Sequence, residues 1–377
     1  MNRFLKLTFA ALVLAGCASK AKIEYPSEQT NKTDNQVASS RLQYAKSPWQ
    51  FDDKDIEVPA YFATQSLKYC TFERNNEDPR CPLKKPSIRV YFDENLVVDK
   101  DQQTSALNQI NNQQLTNMFE NLVAGINRFR IITQDQASLQ KELEMQLSQD
   151  PAAAALKRAQ QKAILPDYLL KIDTLKAADR FYAEYNGVAR YRVELTASVL
   201  DPYTGEKMPS PNIGVIRVES NQVREPDELV FTEVSGRYYS GFNYSDQKNV
   251  LSVVSDMISR GFRVLLTRLL TELPASGQVL AVNGNQISID RGQNAGILPK
   301  ETMIVFRYQA GFVQPIGVAE VTPAKNSSLG RIVKWKDSKV AKQVLQQAKD
   351  TIYQPADNEK LYVVSVGAPE DYLTNRL

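Results

Sequence analysis

The chain has 377 residues, enough for two or three domains, and hydrophobic residues make up 42% of it, so it can bury a sizeable core. Its 46 lysines and arginines nearly balance its 43 aspartates and glutamates, which argues against electrostatic capture of nucleic acid. The sequence contains no histidine, which excludes histidine-dependent catalytic triads, histidine general bases and histidine-ligated zinc. Three cysteines are too few for a four-thiolate zinc or iron–sulfur site.

Residues 1–16 have the pattern of a signal peptide, with two basic residues, a short apolar run and then small residues. The apolar run is far shorter than the ~20 residues that a helix needs to span a bilayer. The segment ends in Leu14, Ala15, Gly16 and Cys17, a tetrapeptide that resembles the lipobox of bacterial lipoproteins. That resemblance implies that Cys17 becomes the first mature residue and carries lipid, palmitate included, on its sulfur and its amine. The alternative is a cleaved secretory peptide that ends near a chance cysteine.

The segment after the anchor is polar. Ala18, rather than Asp, follows Cys17, and by the same resemblance this implies sorting to the outer membrane. Residues 17–48 carry few large apolar side chains, so we expect a lipid anchor followed by a disordered tether. We find no later run that is long and apolar enough to cross a membrane as a helix. We therefore expect the body of the protein to face the periplasm.

Two cysteines remain once Cys17 is acylated, namely Cys70 and Cys81. In an oxidising compartment an even pair is typical of a disulfide, and residues 74–80 between them are rich in turn-forming types. Two unpaired thiols are the alternative. Aromatic and apolar residues surround the pair, so we interpret residues 49–85 as a disulfide-pinned N-terminal cap that packs on the domain that follows it.

Residues 86–273 alternate between strand and helix patterns, which predicts an α/β-like domain with a mixed sheet flanked by helices, in a chain of the α+β class. The clearest strand covers residues 190–200, where apolar and polar residues alternate. The predicted elements, in chain order, are a strand at 88–92, a helix at 104–126, a strand at 129–132, helices through 148 and over 152–164, strands at 168–172, 190–200 and 213–219, and a closing helix at 247–272.

Residues 274–377 predict a separate, small β-rich domain, either a barrel or a sandwich, because several short strands alternate with glycine turns. Asn283, Gly284 and Asn285 form a tight hairpin signal between strands at 278–282 and 286–290. The remaining predicted elements are strands at 302–308, 315–322, 328–335 and 360–366, and a helix at 337–350.

Three short motifs occur in order along residues 86–273, namely RFRIIT, DYLL and LDPYTGE. Their order and spacing resemble the periplasmic α/β domain shared by CsgG, LpoB, the N-terminal domain of TolB and the middle domain of FlgT. In the last domain a hairpin is followed by Gly292, three residues, Gly296 and Ile297. This pattern resembles the C-terminal domain of the flagellar assembly protein FlgT, and we expect both glycines to supply a positive φ. The long tether departs from FlgT. CsgG-type proteins enter the outer membrane with two β-hairpins, for which residues 213–245 are the candidate here, and charged residues such as Arg217 and Glu219 in that range disfavour a pore.

Residues 236–244 combine aromatic side chains, an arginine and two glycines in front of the closing helix. Tyrosine and arginine are enriched in protein interfaces, which makes this segment a candidate surface for a partner or a neighbouring copy. The alternative is that its rings pack back on their own domain. The partner-binding candidates are Arg237, Tyr238, Tyr239, Phe242 and Tyr244.

The sequence carries no glycine-rich phosphate loop and no catalytic constellation that we recognise, so we predict no enzyme activity, no cofactor and no metal site. The resemblance implies an outer-membrane lipoprotein that scaffolds an envelope machine, either a flagellar basal-body ring or a related secretion or surface apparatus. Its expected partners are envelope proteins and further copies of itself in a ring, and not nucleic acid. The alternative is a regulatory binder similar to LpoB that activates a peptidoglycan synthase. A periplasmic hydrolase, the third possibility, predicts a concave pocket lined by perturbed carboxylates.

Overall fold

The computed structural model describes part of the chain, and every described residue falls within one compact unit, 37–377. For 177–178, 231–234, 237–240 and 247–250 it describes the backbone alone. The described residues are 42, 44–70, 80–92, 111–133, 166–178, 192–210, 213–219, 222–223, 231–234, 237–240 and 247–370. The helices predicted through 148 and over 152–164 lie outside them.

A five-stranded mixed sheet forms the first domain, in the order β2-β1-β3-β4-β5. β1 runs parallel to both of its neighbours, and the other pairs are antiparallel. A separate antiparallel pair, β6 and β7, follows in the chain. The bounds are β1 Ser87–Phe92, β2 Arg130–Ile131, β3 Tyr168–Ala178, β4 Arg192–Leu200, β5 Val215–Glu219, β6 Phe231–Val234 and β7 Arg237–Ser240.

Two helices bury their apolar sides against this sheet, α1 (Asn112–Ile126) and α2 (Gln247–Glu272). Phe262 of α2 lies at the centre of the shared core, where its ring meets those of Phe92 and Phe119 edge-on at centroid distances of 6.0 and 5.1 Å. Edge-on contacts of this kind stabilise aromatic cores beyond the burial of area alone.

The second domain is a closed six-stranded barrel in the order β10-β11-β12-β9-β8-β13, so the predicted alternative of a barrel or a sandwich resolves as a barrel. Helix α3 (Lys339–Asp350) contributes Ala341, Val344 and Ala348 to the apolar core of the barrel. The strand bounds are β8 Ser276–Asn283, β9 Gln286–Ile289, β10 Glu301–Gln309, β11 Phe312–Pro323, β12 Ser328–Trp335 and β13 Lys360–Ser365. The fold is therefore α+β, with a mixed sheet and helices joined to a β-barrel.

The cap consists of short 3₁₀ helices and loops in front of β1, and the predicted disulfide between Cys70 and Cys81 is present. Its apolar side chains, with Cys81, cover the outer surface of the barrel, not chiefly the sheet domain that follows it in the chain, which corrects the predicted packing. The cap contributes Phe51, Ile56, Phe62, Leu67 and Leu83. The barrel contributes Ile304, Phe306, Val318, Tyr362 and Val364. We call these two sets of residues together the cap interface.

Several predicted element bounds needed correction. Of the helix predicted over 104–126, residues 104–110 lie outside the described part. Helix α1 begins at Asn112, because the side chain of Asn111 accepts a hydrogen bond from the backbone N–H of Gln114 at 2.7 Å and caps the helix there. In the same way, Ser338 caps α3, which therefore begins at Lys339. Strand β3 continues to Ala178, past the predicted end at 172, because the pairing shifts register between Ile172 and Thr174 and then resumes.

Candidate functional site

The most specific set of polar contacts in the described structure joins the sheet domain to the barrel, and we call it the junction. It is built around Arg128, which follows α1 and lies two residues before β2. Asn127 ends the helix in the left-handed conformation, with φ at 60°. The side chain of Arg128 is 1% exposed, its Nε donates to the carbonyl oxygen of Gly296 at 2.7 Å, and its Nη2 donates to Oε1 of Glu301 at 2.5 Å.

Glu301, the first residue of β10, is the barrel's contribution to the junction and is fully buried. Its Oε2 accepts a hydrogen bond from the backbone N–H of Leu298 at 2.7 Å, and its Oε1 also accepts one from the hydroxyl of Ser365. Both carboxylate oxygens are therefore satisfied, as a buried charge requires. Nη1 of Arg128 has no hydrogen-bond partner among the described residues.

The glycine pattern singled out in the sequence belongs to this junction. Gly296 has a φ of +79°, as predicted, and a Cβ there would overlap with the backbone of Arg128. The prediction is wrong for Gly292, whose φ is −140°. A glycine is needed there because a Cβ would overlap with the carbonyl oxygen of Ala324 in the neighbouring loop.

A second layer of contacts surrounds the ion pair. Nδ2 of Asn127 donates to the carbonyl oxygen of Gln293 at 2.7 Å, and Nζ of Lys85 donates to Oδ1 of Asn127 at 2.7 Å. Burial, followed by the nearby charges of Arg130 and Arg128, lowers the pKa of Lys85. Lys85, Arg128 and Arg130 thus place three positive charges near the junction. The buried carboxylate of Glu301 is the negative charge that pairs with Arg128.

Polar contacts also tie the cap to the barrel. Nζ of Lys336 donates to the carbonyl oxygens of Asp53 at 3.0 Å and Ile56 at 2.9 Å, and Nζ of Lys334 donates to the carbonyl oxygen of Phe51 at 2.7 Å. These bonds give carbonyl oxygens along the irregular backbone of the cap hydrogen-bond donors from the barrel. The cap, the sheet domain and the barrel are therefore cross-linked by specific contacts.

The sequence-predicted site residues lie elsewhere or outside the described part. Arg237, Tyr238 and Tyr239 belong to β7, of which only the backbone is described. Cys17, Phe242 and Tyr244 fall outside the described residues, so their roles remain predictions.

The role of the junction was missed from sequence, although RFRIIT contains one of its residues. Arg128 and Glu301 are 173 positions apart, and no spacing rule connects residues so distant. The available signal was an arginine placed directly before the apolar residue Phe129, in a segment that leads into a strand.

Several large apolar side chains are exposed on the described parts of the cap and the barrel. Trp49 is 67% exposed, Phe312 at the β10–β11 hairpin is 71% exposed, and Leu329 on β12 is 67% exposed. Single exposed apolar residues are common, but tryptophan and phenylalanine are residue types that anchor protein interfaces. These residues are therefore candidates for contact with other proteins.

No protein-family model matches the sequence, and no curated protein matches it. Within the described ranges no helix is both long enough and apolar enough to cross a membrane.

Proposed function

We propose that the chain is an outer-membrane lipoprotein that acts as a periplasmic scaffold in an envelope assembly, either a flagellar basal-body ring or a related secretion or surface apparatus. The observation that carries the proposal is the buried ion pair of Arg128 and Glu301 between the sheet domain and the barrel. A buried ion pair contributes little net stability but requires one relative geometry of its partners. A scaffold needs that property, because it must present several binding surfaces in a fixed arrangement.

Two further observations support the scaffold. Trp49 and Phe312 leave apolar rings exposed on the cap and the barrel, where other proteins can bury them. The segment that contains Tyr239 and Phe242 supplies a third candidate surface from the sheet domain. The order of RFRIIT, DYLL and LDPYTGE also resembles domains of envelope proteins.

The proposal is tested by the mass of the complex that mild detergent releases from membranes, with mass spectrometry of the proteins that accompany the chain. We expect a large assembly that contains several copies or several envelope components. A monomer, or a one-to-one complex with a cell-wall synthase, would contradict the scaffold and favour the regulatory alternative.

Two variants separate the anchor from the assembly surface. Cys17→Ser should move the chain from the membrane fraction to the soluble fraction, because lipid alone is proposed to hold it there. The double replacement of Tyr239 and Phe242 by alanine should reduce the mass of the complex while the circular dichroism spectrum stays unchanged. Loss of fold and assembly together would instead mean that these rings pack inside their own domain.

A further inference from the structure

A cavity of about 350 Å³ lies where the cap, the beginning of β3 and the end of α2 meet. Pockets that hold small ligands commonly occupy such places between structural units, and their volumes begin at roughly 300 Å³. The ion pair of the junction and the exposed residues Trp49, Phe312 and Leu329 do not take part in its lining. The polar side chains that line it are Tyr61, Ser66, Arg80, Lys84, Asp167, Tyr168 and Glu272.

The charges that line this cavity are balanced. Nζ of Lys84 lies 3.1 Å from Oδ1 of Asp167, and Oδ2 of Asp167 accepts hydrogen bonds from the backbone N–H and the hydroxyl of Ser87, both at 2.7 Å. Arg80, which also lies 3.9 Å from the ring centroid of Tyr69, and Glu272 complete two cations and two carboxylates. A charged ligand would bring a charge without a counterpart into this lining, so the balance favours a neutral ligand.

The two tyrosines supply neutral hydrogen-bonding groups. Burial, followed by the charge of Glu272, raises the pKa of Tyr61 to about 12, and burial together with Asp167 and Asp201 raises the pKa of Tyr168. Both phenols therefore keep their protons at neutral pH, and each can donate and accept a hydrogen bond.

Asp167 does not suit the role of an acid catalyst. Burial alone would raise its pKa, but the hydrogen bonds from Ser87 and Lys84 outweigh burial, and its pKa is lowered. A general acid needs a raised pKa, so we assign Asp167 no role as a proton donor and treat it as an acceptor of hydrogen bonds.

The lining also includes apolar ring side chains. They are the aromatic rings of Tyr61, Phe62 and Tyr168 and the pyrrolidine rings of Pro82, Pro86 and Pro274. A ligand that matches this lining needs an apolar face as well as several neutral hydroxyl groups. A pyranose ring has both, since its C–H groups form an apolar face and its hydroxyls project around the edge. We infer that the cavity binds a neutral pyranose ring of a sugar or glycan.

The inference is tested by saturation-transfer NMR on the full chain, held in a detergent that has no sugar headgroup. The probes are glucose, glucosamine and glucuronate, which share one ring and differ in charge. We expect glucose to bind with a dissociation constant of the order of millimolar, and the cationic and anionic sugars to bind more weakly. No transfer to glucose, or tighter binding of either charged sugar, would overturn the inference.

Variants assign the binding to the cavity. Tyr61→Ala should weaken glucose binding by about fivefold, because the ring that stacks on the sugar is lost. Tyr203→Ala is the matched control, since Tyr203 is 71% exposed and does not line the cavity, and it should leave binding unchanged. Equal effects of the two replacements would place the sugar elsewhere.

A third variant tests the charge balance itself. Lys84→Met removes the cation paired with Asp167 and should shift the preference towards glucosamine by about tenfold. An unchanged order of the three sugars would contradict the argument from charge.

Discussion

The barrel meets the sheet domain through a buried ion pair, and it meets the cap chiefly through an apolar cluster to which Lys334 and Lys336 add hydrogen bonds. At the junction, Arg128 and Glu301 form a buried ion pair with directional hydrogen bonds. At the cap interface, the rings of Phe62 and Phe306 meet edge-on within an apolar cluster, with their centroids 6.2 Å apart. Apolar contact depends on the area and volume buried, whereas a buried ion pair tolerates little displacement. We therefore expect the cap interface to supply stability and the junction to select one orientation.

The largest effect is expected from breaking the junction on one side. Arg128→Met should lower the free energy of unfolding by roughly 3–5 kcal/mol, because it leaves the carboxylate of Glu301 buried without its counter-charge. The double variant Arg128→Met, Glu301→Leu should recover most of that loss, because it leaves no unpaired charge in the interface. Urea denaturation followed by circular dichroism measures all the variants.

The matched control for this cycle is Arg331→Met, which removes an exposed arginine from the barrel and should leave the unfolding midpoint unchanged. Additive losses in the Arg128 and Glu301 double variant would show that the two side chains are energetically independent.

The cap interface should respond to volume. Phe306→Ala removes a fully buried ring and should cost about 3–4 kcal/mol, whereas Phe306→Leu should cost less than about 1.5 kcal/mol. Phe312→Ala, at a 71% exposed position, is the control for the loss of a phenylalanine. Similar losses for Phe306→Ala and Phe306→Leu would argue against an interface governed by packing.

The disulfide should stabilise the cap to a smaller extent. Cys70 and Cys81 are separated by 11 positions, and closing a loop of that length is worth about 3 kcal/mol in the chain-entropy treatment. Removal of a native bridge from a small secreted domain typically costs about 2–5 kcal/mol. The double replacement by alanine should therefore lower the unfolding midpoint, and a reducing agent should lower that of the wild type equally. An effect of the reductant on the alanine variant would point to another thiol.

The smallest effect concerns Asp167 beside the cap, and it depends on pH. Because its pKa is lowered in the folded protein, its contribution is present above the unfolded pKa of about 3.9 and is lost as the pH falls through the folded value. Asp167→Asn should therefore cost about 1–2 kcal/mol at pH 7, and this difference should shrink below pH ~4. Asp357→Asn, at a fully exposed aspartate, is the control. A difference that stays constant with pH would contradict the assignment.

Much of the barrel could be predicted from sequence because its signals are local. Alternating residues and the turn at Asn283, Gly284 and Asn285 define β8 and β9. In the sheet domain, the predicted bounds 247–272 of α2 also agree with the structure. Strand β3 was predicted too short, because its ladder passes through an irregularity near Asp173 that alternation does not reveal.

Contacts between distant parts of the chain could not be predicted in this way. The apolar residues around Phe51 indicate burial, but they do not say which surface they cover, and that surface lies on the barrel. The cavity had one local signal, since Glu272 is an acid in the last turn of α2, where it opposes the helix dipole. Lys84, which also lines the cavity, pairs with Asp167 at a separation of 83 positions, and no local pattern connects two residues so far apart.

Scanning calorimetry of the full chain tests most directly whether the junction and the cap interface unite the sheet domain and the barrel. If the two domains unfold as one cooperative unit, the wild type shows a single transition with equal calorimetric and van 't Hoff enthalpies. In that case we expect Arg128→Met to divide this transition in two. Two separate transitions in the wild type, with no change in their spacing for Arg128→Met, would contradict it.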